Sequence, residues 1–296
     1  MSILSRYELE EVDPLNCEGR FPKQDMVLET IPSNRIIGIE VEVENLHMKQ
    51  PPISGAWEST EDGSLRNGGI EWISRPIEAR WAPQALYELL VDDLDNRCCF
   101  GPRTSIHVHV NAQEMSEDEV LDTALLYSVV EPLLYRYTGR SRDKNIYCVP
   151  LYDTNLLYKV LNQNFDTIVD SWSKYTGFNL LPLRDHGTME FRHMHGTFDH
   201  KKVSIWIRIL TKLVDYVKNK STKWIRETIL KMDKRFNYME LFQDIFGEDL
   251  FYLKFRFYEE IQHGIDNART SFLSPNTFHE MFRARDLAAP YFKGVK

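Results

Sequence analysis

Four short stretches of the chain concentrate carboxylate and imidazole groups at every second position. They read RIIGIEVEVE from Arg35 to Glu44, GIEWIS from Gly69 to Ser74, SIHVHVN from Ser105 to Asn111, and TMEFRHMH from Thr188 to His195. A period of two is that of a strand, whose successive side chains point to opposite faces. As strands, they would each bury one apolar face, typified by Ile39 and Val41, Trp72, Val108 and Phe191. The opposite faces would carry Glu40, Glu42 and Glu44, then Glu71, then His107 and His109, then Glu190 and Arg192. Asp62, in the turn before the second stretch, is close enough in sequence to reach the same face.

One acidic strand alone reads as the solvated side of an antiparallel sheet. Four together read differently. Solvated faces draw on Lys, Thr, Ser and Gln, and neighbouring like charges are costly unless cations or water compensate. Carboxylates with occasional imidazole suit Mg²⁺ or Mn²⁺. The absence of paired cysteines argues against structural zinc. Several carboxylates can hold more than one divalent ion, and such ions clamp a triphosphate in phosphoryl transfer. A histidine and arginines stabilise the phosphoryl group in flight. The loop GRSRDKN offers Arg140, Arg142, Lys144 and Asn145, which suit anionic oxygens. Its alternative reading is an exposed charged loop.

The elements that must position these groups follow from local signals. Residues 1–34 are polar and broken by Pro14, Pro22 and Pro32, which predicts an irregular lead-in. Residues 45–68 hold two prolines and three glycines, which predicts loop and turns. Leu86, Leu89, Leu90 and Leu94 recur at helical spacing. Ser116 with Glu119 three residues later is a capping box, and predicts a helix to about Tyr137 with Gly139 just past its end. Asp199 caps a second helix with an apolar stripe from Val203 to Val217. Those two helices are expected to cover the apolar side of the sheet. Residues 222–285 read as mostly helical. Eleven Lys or Arg lie between residues 200 and 235, either a basic stripe for an acidic partner or, more simply, the solvated face of helices.

Composition bounds the possibilities. The chain has 296 residues, enough for one large domain or two small ones. A net charge of −8 argues against nucleic acid and anionic membranes as partners. No apolar run approaches a membrane span, and the N-terminus lacks a signal peptide's apolar core. Cys17, Cys98, Cys99 and Cys148 are too scattered for a disulfide framework and suit reduced thiols in the cytoplasm.

GIEVE at 38–42, DGS at 62–64, GIEWISRP, SIHVHVN, the Arg/Asn loop and TMEFRHMHGTFD occur in that order. The ordered set resembles the amidoligases, carboxylate–amine ligases of the glutamine synthetase fold, over about residues 35–210. The resemblance implies an α+β fold: a curved antiparallel sheet with helices on its outer face, as a catalytic domain over 35–218, with the remaining 219–296 a helical extension. By motif position it makes Glu40, Glu42, Asp62, Glu71, His107 and Glu190 metal ligands. His109 would contact phosphate, and Arg192 would hold the substrate carboxylate or its acyl phosphate. Arg140, Arg142 and Asn145 would serve the nucleotide or the transferring phosphoryl group, and Glu44 lies beyond this set. The implied reaction uses ATP and Mg²⁺ or Mn²⁺ to join a carboxylate to an amine through an acyl phosphate. A free amino acid, a peptide, a modified nucleobase or a protein side chain all remain open as substrates, and no stretch speaks to oligomeric state. A metal-dependent hydrolase and a non-catalytic binding module are the rival readings.

Overall fold

The computed structural model describes residues 1–21, 28–46, 55–95, 97–139, 141–232, 237–253 and 258–273. Its centre is an open, fully antiparallel sheet of seven strands. The strands are β1 (Ile36–Val43), β2 (Trp57–Thr60), β3 (Ile70–Ser74), β4 (Ile77–Glu78), β5 (Ser105–Asn111), β6 (Phe178–Asn179) and β7 (Thr188–His195). They lie in the order β2-β3-β1-β5-β7-β6, with β4 also paired to β1. Register places Glu42 opposite Glu71, Glu40 opposite His107, and His109 opposite Glu190. Side chains at paired positions lie on one face, so these groups share a side of the sheet.

The helices are α1 (Ile3–Arg6), α2 (Ala82–Tyr87), α3 (Glu117–Thr138), α4 (Leu156–Val160), α5 (Phe165–Asp170), α6 (His200–Lys218), α7 (Thr222–Lys231), α8 (Asn237–Phe246) and α9 (Tyr258–Arg269). The Ser116 capping box forms as expected: Oγ accepts from the Glu119 N–H at 3.3 Å, and Glu119 Oε2 accepts from the Ser116 N–H at 2.6 Å. Gly139 ends α3 with φ +118°. Ile39, Val41, Val108 and Phe191 are fully buried, and α3 and α6 pack on that side of the sheet. On its other side α3 meets α7 and α9, so it is buried nearly all round.

Two details correct the sequence reading. The 45–68 stretch is not all loop, because residues 57–60 form edge strand β2 with fully buried Trp57. The basic residues of 200–232 are largely paired within the chain, Arg208 and Lys212 with buried Asp249, Lys218 with Glu114, and Arg226 with Asp118 and Asp122. This favours the simpler of the two readings over a free basic stripe.

β7 also carries an irregularity. Ile106 pairs with Met194 and Val108 with Phe191, so two residues, Arg192 and His193, stand opposite His107. The bulge shifts the strand's parity. Glu190 and Arg192 stay on the open face, while His193 and Met194 both turn into the covered core, fully buried.

Candidate active site

The open face gathers its titratable groups from four strands and one turn. Glu40 and Glu42 come from β1, Glu71 from β3, His107 and His109 from β5, and Glu190 and Arg192 from β7. Asp62 follows β2 and is fixed in its turn by accepting the Ser64 N–H at 2.7 Å. Three sets of ligand atoms lie within 4.8 Å of one another: Glu40 with Glu71 and His107, Glu40 with His109 and Glu190, and Glu42 with Asp62 and Glu71. Glu40 and Glu71 each belong to two sets, so the three form a continuous chain of candidate metal positions. All six residues expected as ligands are therefore brought together. His109, expected on phosphate, stands in a ligand set as well.

Local contacts orient these groups. Glu42 Oε2 accepts both the backbone N–H and the hydroxyl of Ser105, at 2.7 and 2.6 Å. Ser105 Oγ lies 2.8 Å from His107 Nε2, whose Nδ1 lies 2.8 Å from Glu40 Oε2. Thr188 Oγ1 is 2.9 Å from His109 Nδ1. That turns Nε2 toward Glu40 Oε1 at 3.1 Å and Glu190 Oε1 at 4.0 Å. This Nε2 is buried facing these two carboxylates, as suits an atom that could join them in ligating a cation. Ser105 and Thr188 were not singled out from the sequence. Both share the parity of the neighbouring site residues, so the period of two carried the signal.

The electrostatics are in conflict. Burial opposes ionisation of Glu40, but hydrogen bonds and charge from His107 and His109 hold it well below the usual carboxylate range. Burial likewise acts against Glu190 and is outweighed by His109, His107 and Arg192. Burial discourages protonation of His109, and Glu40 and Glu190 reverse this and raise it. Glu71 has weaker relief, from Arg192. Burial first, then Glu40, Glu42 and Asp62, push it up to about 8. A divalent cation among these oxygens would remove that repulsion.

The arginines divide. Arg192 donates through Nη1 to Glu190 Oε1, and the same nitrogen lies 3.5 Å from His107 Nδ1. It is at the ligand sets, as expected. Arg142 is not. It is buried at 3 % exposure, with Nε donating to the His193 carbonyl at 2.8 Å and Nη2 to the Arg192 carbonyl at 2.7 Å. Its guanidinium clamps the β7 bulge instead of facing an anion. Asn145 is also taken up locally, donating to the Pro102 carbonyl at 3.1 Å and accepting the Tyr147 N–H at 2.8 Å. Arg140 lies outside the described residues. Glu44 is held apart from the ligand sets by Arg103 and the Arg66 N–H.

Residues 68–214 match the model of a family described as "Putative amidoligase enzyme". Over that stretch, just under half of its length, the chain is similar to that family. The description is that of a ligase-type enzyme. No curated protein matches the chain. The amidoligase match takes in Glu71, His107, His109, Glu190 and Arg192 and begins after Glu40, Glu42 and Asp62. Yet β1 lies between β3 and β5, both inside the matched stretch. The sheet thus inserts two carboxylates from outside the amidoligase match into the middle of the ligand sets. Among the described residues, no helix is long and apolar enough to cross a membrane.

Proposed function

We propose that the chain is an ATP-dependent carboxylate–amine ligase with a sheet of glutamine synthetase type, acting in the cytoplasm with Mg²⁺ or Mn²⁺. The observation that carries this reading is the convergence of three carboxylate-rich ligand sets on one open sheet face, with Arg192 beside them. Hard oxygens with a minority of imidazole nitrogens, and a Glu71 crowded by like charges, fit a hard divalent ion. Glu40, Glu42, Asp62, Glu71, His107, His109 and Glu190 would hold it. Such ions, when bound, neutralise and align a polyphosphate.

The chain's own residues supply position and charge. Arg192 grips the substrate carboxylate through its planar fork of donors. A carboxylate oxygen attacks the γ-phosphorus of ATP; that O–P bond forms as the bond to the ADP oxygen breaks. The amine nitrogen then attacks the acyl carbon. A C–N bond forms, the C–O bond to phosphate breaks, and phosphate departs with the proton lost by nitrogen. The acyl group is already activated at that stage, so holding the two partners in line is the main requirement.

The test is a panel of carboxylates and amines scored for ATP-dependent phosphate release, with mass analysis of products. Release that needs both partners and yields an amide is the expected result. Product without nucleotide would replace the reading with a metal-dependent hydrolase. Metal and nucleotide binding without turnover across the panel would favour a binding module.

A further inference from the structure

The open face differs between its two ends. Where β1 ends and β5 begins, Arg103 and Arg192 stand near the carboxylates. Where β1 begins and β5 ends, a cavity of about 610 Å³ opens beside the ligand sets. Glu40 and His109 form part of its wall, with Nε2 of His109 3.1 Å from Glu40 Oε1. Leu9, Val12, Ile36, Ile73 and Pro76 give it apolar sides. Glu8, Glu10 and Asp185 line it at solvent-exposed positions. Neither lysine nor arginine is on its lining, whose basic groups are the imidazoles of His109 and His186.

The acidity is not cancelled from nearby. Arg6 is taken by Asp166 and Glu117, Arg35 by Asp215, and Arg184 by Asp170. Glu8, Glu10 and Asp185 pair with no cation among the described residues. The acidic wall is also held in place. Gln113 donates to the Glu10 carbonyl at 2.9 Å and accepts the Val12 N–H at 3.2 Å, pairing with the segment much as a neighbouring strand would. Gly187, at φ +65°, leaves room for this: a Cβ there would come within 2.5 Å of Gln113 Cγ. The N-terminal segment is therefore part of the site's architecture.

We propose that this cavity receives the amine substrate, and that the amine is an aliphatic di- or polyamine. Its reacting nitrogen ends at Glu40 and His109, its stem lies along the apolar sides, and a second ammonium rests among Glu8, Glu10 and Asp185. The volume is in the usual range for a small-molecule site, and charge complementarity selects a cation over a neutral or anionic partner. The word substrate rests on the ligase reading; the binding itself does not.

The experiment uses the full chain without metal or nucleotide, titrated calorimetrically with 1,6-diaminohexane and spermidine, and with 1,6-hexanediol and adipate as neutral and anionic counterparts. The amines should bind saturably, at least about tenfold more tightly than the other two. The triple variant E8Q/E10Q/D185N should lose about tenfold in amine affinity, roughly 1.4 kcal/mol, with Mn²⁺ binding unchanged. A conservative triple variant, E8D/E10D/D185E, should retain most of the amine affinity. Equal binding of adipate, or a charge-neutral variant that binds amines like the parent, would overturn the assignment. Amine binding with no ATP-dependent phosphate release for any carboxylate would keep the cavity and sink the ligase reading. Phosphate release with neutral amines and not with diamines would do the reverse.

Discussion

Glu71 and Glu131 lie on opposite sides of the sheet, and both are pushed up to about 8. Burial is the largest cause for each. Their surroundings then part company. Glu131, on α3, sits among donors: the Tyr127 hydroxyl at 2.8 Å, the Leu151 N–H at 2.7 Å and the Tyr152 N–H at 3.3 Å. Tyr127 in turn lies 2.6 Å from His193 Nε2, beneath the bulge. Glu71 sits among carboxylates, with Arg192 opposing them. The first is a completed internal network and the second a set of like charges in want of a cation. A raised carboxyl points to chemistry when its neighbours share its charge, and to architecture when they are donors.

The largest expected effect comes from Glu40→Gln, because Glu40 belongs to two ligand sets. Mn²⁺ affinity should fall by more than about a hundredfold and turnover by at least about a thousandfold, roughly 4 kcal/mol in the barrier. Melting temperature should fall modestly, because ionised Glu40 is held by His107 and His109. Manganese titration by electron paramagnetic resonance, beside calorimetry, checks both halves. Arg192→Lys should come next, cutting turnover by about a hundredfold, near 3 kcal/mol, at almost unchanged melting temperature. Equal turnover would reduce Arg192 to a neutralising charge.

Glu131→Ala should show the opposite pattern. It leaves the Leu151 and Tyr152 N–H groups without their acceptor, which costs about 2–3 kcal/mol in urea unfolding, while Mn²⁺ affinity stays as in the parent. A matching loss of Mn²⁺ affinity would erase the distinction between the two sides. The smallest effect is in pH. Between the ordinary carboxylate range and about 8, folded Glu131 keeps a proton that the unfolded chain has lost. Stability therefore falls as pH rises across that window, by up to about 1.4 kcal/mol per unit. Glu131→Gln should flatten that slope. Glu71 adds a slope of the same sign in metal-free protein, and saturating Mn²⁺ should remove the Glu71 share alone. Urea midpoints at a series of pH values, with and without Mn²⁺, would separate the two.

What was legible in the sequence was local. Strand parity predicted the faces of β1, β3, β5 and β7, and Ser116 with Glu119 predicted the start of α3, because those signals lie within a few residues of what they control. What escaped depended on distant partners. β2 is four residues at a sheet edge between glycines, too short to declare itself. Arg142 looked like a phosphate ligand because its charge was visible and its direction was not; the bulge that captures it forms only when β5 meets β7. The prolines of the lead-in announced irregular backbone, yet nothing near them announced Gln113, whose side chain turns that backbone into a cavity wall.

The strand order has a further consequence, for assembly in time. Ile39 pairs with Val108 and Val108 with Phe191, so the middle of the sheet closes long loops before any contact compensates. Refolding should be slow for that reason. The ligand sets inherit the delay: none is complete until at least two distant strands have met. A growing chain that has made β1 and β3 already holds the Glu42, Asp62 and Glu71 set, while the two sets that contain His107 or His109 wait for β5. The metal positions are thus completed in order along the chain, the Glu42 set first and the two histidine-containing sets only after β5 has docked.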